Sequence, residues 1–144
     1  LFRLEIFYTN KDNAVMGLIR TMVTLKNPSV PGLEPVQAKA LVDTGAITMC
    51  LPPHIALQLQ LQEVEKREVT VADGRRQLVP YAGPVQIFFQ NRSSFGGALI
   101  FGDEVILGAI PMEDMDLVIN PTRQLVMVNP DNPNFPMAII KRST

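Results

Sequence analysis

The segment between Val36 and Ala46 constrains the fold most. Val36-Gln37-Ala38-Lys39-Ala40 alternates apolar and polar, and Leu41-Val42 then makes the run wholly apolar. Alternation marks a strand with one wet face, and a continuous apolar run marks a strand covered on both faces. This strand therefore passes from an exposed edge into the middle of a core. It ends abruptly in Asp43-Thr44-Gly45: one acid, one hydroxyl and one glycine. Carboxylates are almost never fully buried without a partner, so an acid at the end of a core strand is an acid held for use. Only one such segment exists in 144 residues. Chemistry that needs two carboxylates must take the second from another chain.

The rest of the chain reads mostly as β. Residues 18–25 are strand-like, and Asn27-Pro28-Ser29-Val30-Pro31-Gly32 is a loop dense in proline and glycine. A strand is expected over residues 47–51, after the acid. Pro52 and Pro53 then open a short helix over 55–59, since proline suits a first helical turn. Residues 68–77 form a hairpin candidate around Asp73-Gly74, a turn signal between strands. Val85, Ile87 and Phe89 alternate with polar or opposite-facing neighbours. Asn91-Arg92-Ser93-Ser94 is expected to turn, and Phe95, Gly97, Leu99 and Phe101 to line one face of the returning strand. Further strands are expected at 105–108, 117–119, 125–128 and 137–140, with helical turns over 111–114. The fold class is thus all-β with one or two short helices. Residues 16–144 form a single domain. Residues 1–15 are either an appended segment or an extra strand, with Phe2, Leu4, Ile6 and Tyr8 alternating and Met16-Gly17 resembling a natural start.

Composition excludes several function classes. The hydrophobic fraction is 47% and the net charge −1, as expected of a globular chain without a nucleic-acid surface. Lys66-Arg67 and Arg75-Arg76 are interleaved with Glu63, Glu65 and Glu68 and read as a solvated face. No stretch approaches the ~20 apolar residues of a membrane-spanning helix, so neither nucleic acid nor membrane is expected as a partner. One cysteine, Cys50, and one histidine, His54, allow no disulfide and no Cys/His zinc site within the chain. No metal or cofactor is expected. A Cys50–His54 nucleophile pair is conceivable by sequence proximity, but Cys50 reads as a small buried hydrophobe and His54 as solvent-facing. The lone thiol and the charged N-terminus point to a cytoplasmic setting.

Ala40-Leu41-Val42-Asp43-Thr44-Gly45-Ala46, followed by Leu51-Pro52 and a short helix, resembles the active-site segment of retropepsin-like (clan AA) aspartic proteases. Ile106-Leu107-Gly108, followed by helical turns and the strand at Leu117-Val118-Ile119, resembles that family's second mark. The hairpin between the two occupies the place of its flap, with Val71, Ala72, Asp73, Gly74 and Arg75 as flap candidates. The closest likeness is to small single-domain microbial enzymes. The resemblance implies an acid-protease half-barrel and an aspartic endopeptidase with Asp43 as the catalytic acid. It makes Thr44, Gly45 and Ala46 the active-site loop, with Thr44 bracing the two acid loops across a dimer axis. Substrate-pocket candidates are Leu41, Ile47, Leu78, Ile106, Leu107 and Gly108, with Val71.

The chemistry accounts for the residue types. Two carboxylates about 3 Å apart cannot both ionise easily, so they share a proton. One acts as base toward water while the other donates to the peptide carbonyl. A twofold axis beside Asp43 supplies the pair. The expected assembly is a homodimer acting on a polypeptide, with residues 18–23 and 137–140 as interface candidates. Glu113, Asp114 and Asp116 offer an acid in cis, but their position at a helix and strand end favours solvation. Two other readings stand: a retropepsin-like dimerisation or peptide-binding module with little or no turnover, and a plain β-barrel in which Asp43 caps a turn.

Overall fold

The computed structural model describes residues 18–141. Residues 1–15, expected as an appendage or an extra strand, lie outside the described residues. The chain runs through β1 (Ile19–Lys26), β2 (Val36–Val42), β3 (Met49–Leu51), α1 (Pro53–Gln58), β4 (Gln62–Thr70) and β5 (Arg76–Phe89). It continues through β6 (Arg92–Ile100), β7 (Val105–Leu107), α2 (Ala109–Asp114), β8 (Leu117–Asn120) and β9 (Leu125–Val128). The protein is all-β with two short helices, as its alternating strands and proline punctuation predict.

Strands β1, β2, β7, β3, β6 and β5 are neighbours in that order, and pairing of β5 with β1 closes them into a barrel. β4 adds to β5 alone and carries the sheet beyond the barrel as a two-stranded arm. Period-two burial decides which residues point inward. Ile19, Val23 and Leu25 of β1, Ala40 and Val42 of β2, and Val85, Ile87 and Phe89 of β5 fill the interior. Full burial of one such large side chain contributes about 1.5–3 kcal/mol. The β8–β9 hairpin adds Leu117 and Val126 to the same core.

Local chemistry fixes the helix ends. Pro53 occupies the first position of α1, where its missing N–H costs nothing. The helix stops at Gln60, which takes φ 53°, and the buried Asn27 amide donates to the freed carbonyl of Leu59 at 2.8 Å. α2 ends similarly at Asp116, also at φ 53°.

Four expectations are corrected. Residues 137–140 form no strand: Met137, Ile139 and Ile140 are 59, 79 and 84% exposed, so their apolar run has no sheet to join within the described residues. The β5–β6 connection turns at Gln90-Asn91, with Gln90 at φ 50°, and not over 91–94. Arg92 and Ser94 are instead buried on β6, each with one polar partner, while Nε and Nη1 of Arg92 meet no hydrogen-bond partner among the described residues. The Arg92 guanidinium donates to the Asn132 carbonyl, and the Ser94 hydroxyl donates to Asp114 at 2.7 Å. The strand expected over 47–51 begins only at Met49. Finally, Asp114 and Asp116 are not simply solvated. Asp116 accepts from the amides of Asn129 and Asn132 and from the Met137 N–H at 2.9–3.1 Å, pinning the C-terminal segment to the end of α2.

Candidate active site

β2 delivers the acid. Val42 is 1% exposed, and β2 runs parallel to β7 with Leu41 opposite Ile106 and Val42 opposite Leu107. The ladder ends with the Asp43 N–H donating to the Leu107 carbonyl at 3.0 Å. The chain then turns on the acid itself. Asp43 Oδ1 accepts the Gly45 N–H at 2.9 Å, and the Asp43 carbonyl accepts the Ala46 N–H at 3.0 Å. This Asx-type turn fixes the half-buried carboxylate by one oxygen. Among the described residues, Oδ2 accepts no hydrogen bond.

The two segments singled out in the sequence, 43–46 and 106–108, meet here. The carbonyls of Ala46 and Ile47 turn from any strand ladder and accept the N–H groups of Ala109 and Ile110, each at 2.8 Å. That explains why β3 starts late. Gly108 lies against the loop so closely that a Cβ would collide with the carbonyl oxygens of Thr48 and Ala46. Glycine is required there for space, whatever its backbone angles.

Cys50 follows on β3, opposite Ile106. It is buried, and its thiol is pushed up to about 11, first by burial and then by the negative charge of Asp43. A thiol held protonated is a poor nucleophile. His54 is exposed on α1, and no hydrogen bond joins the two among the described residues, so the geometry gives no support to a Cys–His pair.

The other expected site residues scatter. Thr44, Gly45 and Ala46 are half-buried in the turn. Leu107 is fully buried and belongs to the core, correcting its place among pocket residues. Period two leaves its neighbour Ile106 half-buried on the other side. Leu78 is 65% exposed on the arm. The flap candidates form the arm's tip. Gly74 at φ 88° and the bonds Gly74 N–H to Val71 O and Val71 N–H to Arg75 O, both 2.9 Å, make a tight turn with one glycine bulge. Asp73 pairs with Arg75 inside that turn at 2.6 Å. No hydrogen bond or ion pair joins the tip to Asp43 among the described residues.

A cavity of about 360 Å³ lies beside the loop, between β4, β6 and the start of α2. Ile47 and Thr48 of the loop line it, with Val69 of β4, Tyr81 of β5, Phe95 and Gly97 of β6 and Ile110 of α2. Asp43 does not. Tyr81 is half-buried and lines this cavity. Its ring packs where Gly97 has no side chain, and the Arg67 guanidinium stacks over it at 3.6 Å. Sequence reasoning placed only Ile47 here. The signal for the far wall was present in the shared face of Phe95, Gly97 and Leu99, all of which line the cavity.

Charges elsewhere pair locally. Lys66 meets Glu63 at 3.0 Å, Arg67 meets Glu65 at 2.8 Å and Arg76 meets Glu68 at 3.5 Å, all exposed along the arm. Such exposed pairs are screened by solvent and contribute little. Among the described residues, no group of three or more His, Cys, Asp or Glu side chains is placed to hold a metal ion, and no helix is long and apolar enough to cross a membrane. In comparisons with known proteins, the chain matches no family model and no curated protein.

Proposed function

We propose that this chain is an aspartic endopeptidase of the retropepsin-like type, and that two copies supply one Asp43 each to a shared site. The barrel of one chain is then half of the enzyme. The observation that carries the proposal is the joining of Asp43-Thr44-Gly45 to Ile106-Leu107-Gly108. An acid at the end of a buried strand is fixed through one oxygen by its own turn, over a glycine that lets a second segment lie directly beneath. Among the described residues Oδ2 accepts no hydrogen bond, which suits it to a water or a second carboxylate.

In such a pair, one carboxylate takes a proton from water as the water oxygen attacks the peptide carbonyl carbon. The other, protonated, donates to the carbonyl oxygen. Collapse of the tetrahedral intermediate breaks the C–N bond, and the departing nitrogen takes a proton from the pair. Both titrations belong to the pair. Thr44, next to the acid, is suited to brace one loop against its copy. Exposed apolar side chains on β1 and the C-terminal segment, Met22 and Met137 among them, support a surface that a second copy covers.

One observation favours a second reading, a peptide-binding or dimerisation module with little turnover. The bond from Gly45 to Asp43 Oδ1 already gives the carboxylate a structural role that needs no reaction. Substitution Asp43→Asn separates the two. The variant is expected to keep its dimer mass in sedimentation and to lose all cleavage of an unfolded protein between about pH 3 and 7, the range of a split carboxylate pair. Cleavage that survives in the variant overturns the catalytic assignment. A wild-type monomer at micromolar concentration overturns the shared site, and an inert wild-type dimer selects the module.

A further inference from the structure

Residues 129–137 pass the β5–β6 turn and the end of α2 with little to hold them. Pro130, Pro133 and Pro136 supply no N–H, so the segment cannot join a sheet as a regular strand. Residues 133–137 are all exposed. The Asn129 N–H donates to the Asp116 carbonyl at 3.1 Å; beyond that bond, among the described residues, the segment is tied to the body by side chains. The Asn91 amide of the β5–β6 turn donates to the carbonyls of Pro133 and Asn134 at 3.0 and 3.4 Å. Arg92 donates to the Asn132 carbonyl. The Asp116 carboxylate accepts from Asn129, Asn132 and the Met137 N–H. A segment with few buried apolar contacts and few backbone bonds to the body opens at lower cost than the barrel.

Its closed position is imperfect at Arg92. This residue is 2% exposed, yet Nε and Nη1 meet no hydrogen-bond partner among the described residues. A buried charge with unmet donors is costly. A carboxylate is close at hand. Arg92 and Asp116 both bond Asn132, one at its carbonyl and the other at its side-chain amide. The Asp116 carboxyl, lowered first by the Met137 N–H and the asparagine amides, also feels the positive charge of Arg92. We propose that 129–137 is a strap with two positions: closed, with Asn132 standing between Arg92 and Asp116, and open, with those two charges paired directly and the apolar run 137–140 drawn away from the body. Breaking the strap's bonds frees the Asp116 carboxylate as it uncovers the guanidinium, whose forked donors match a carboxylate. The pair stabilises the open position and the unmet N–H groups destabilise the closed one, which narrows the gap between them. The barrel ladders stay intact, because none of them includes a strap residue. The device goes beyond the peptidase reading and does not depend on it.

Native-state hydrogen exchange of the full chain, followed by NMR at the Asn129 and Met137 amides, tests this. Both amides donate to Asp116 in the closed position. In the wild type they are expected to exchange about a hundredfold faster than the barrel amides of Leu25 and Ile87, after correction for intrinsic rates. Arg92→Met removes the charge that the closed strap leaves unmet, so protection at both amides rises about tenfold. Arg92→Gln, which keeps a donor for the Asn132 carbonyl, shifts protection the same way and carries the test if Arg92→Met does not fold. Asn91→Ala loses two bonds made only in the closed position, and protection falls about tenfold. An Arg92 that merely clamps the strap gives the opposite sign, because its bond to Asn132 is lost and protection falls. Lower or unchanged protection in the Arg92 variants therefore overturns the two-position strap. A wild type whose strap amides exchange no faster than those of the barrel overturns it as well. Peptide cleavage bears on neither outcome, so this proposal and the peptidase reading fail separately.

Discussion

Gly108→Ala tests the joint on which the candidate site is built. A Cβ at this position would sit 2.7 Å from the Ala46 carbonyl oxygen and 2.9 Å from the Thr48 carbonyl carbon, and closer still to the Thr48 oxygen. These are backbone atoms and cannot rotate away, so relief requires the 46–48 segment and the start of α2 to separate. Separation stretches the bonds from Ala109 to Ala46 and from Ile110 to Ile47, each 2.8 Å. Overpacking costs about 1–3 kcal/mol, and each lost backbone hydrogen bond about 0.5–1.5 kcal/mol. Together they predict a loss of roughly 2–6 kcal/mol, a large share of the ~5–15 kcal/mol typical of a domain. Urea denaturation followed by far-ultraviolet circular dichroism measures it. Gly96→Ala is the control, since a Cβ at Gly96 meets nothing within 4 Å. Equal urea midpoints for the two variants would refute the claim that Gly108 is needed for close approach.

Two further outcomes follow from the titrating groups. At pH 8 the native Cys50 thiol, raised from 9.0 to about 11, should react with iodoacetamide roughly a hundredfold more slowly than that of the unfolded chain. Its contribution to stability is complete below pH 9.0 and is lost as the pH rises toward about 11; equal alkylation rates would contradict both statements. The Met137 N–H, with the amides of Asn129 and Asn132, holds the Asp116 carboxyl below its ordinary value. The stability it gives is therefore present above the usual carboxylate range and lost as the pH falls below it. Hydrogen exchange at the Met137 amide, corrected for intrinsic rates, should show protection at pH 6 that Asp116→Asn removes; unchanged protection in the variant would count against the clamp.

Period-two patterning made part of the barrel legible. It located β2 and the later part of β5, and the switch from alternation to a continuous apolar run located the end of β2. It failed where polarity and burial part company. Arg92 and Ser94 look like turn residues because both are polar, yet both are buried: Ser94 donates to Asp114 and Arg92 to the Asn132 carbonyl, while Arg92 Nε and Nη1 have no partner among the described residues. Residues 137–140 look like a strand because they are apolar, but a strand needs an edge to join, and composition does not supply one. The acid loop and its partner glycine were readable because each is a contiguous segment. The cavity was not, because its wall is drawn from five separate segments that only the closed barrel brings together.

The extension of β5 past the barrel has a consequence for how this molecule can vary. β5 pairs with β1 and β6 in its later part, but residues 76–80 pair with β4 alone. A register shift between Ala82 and Val85 separates the two parts of the β5–β6 ladder. Removing or adding residues in matched pairs at the outer end of the arm therefore leaves every barrel ladder in register, with each side chain still on its own face. The arm is a part of adjustable length on a frame of fixed circumference, and relatives of this chain are free to differ in its reach while keeping the same barrel.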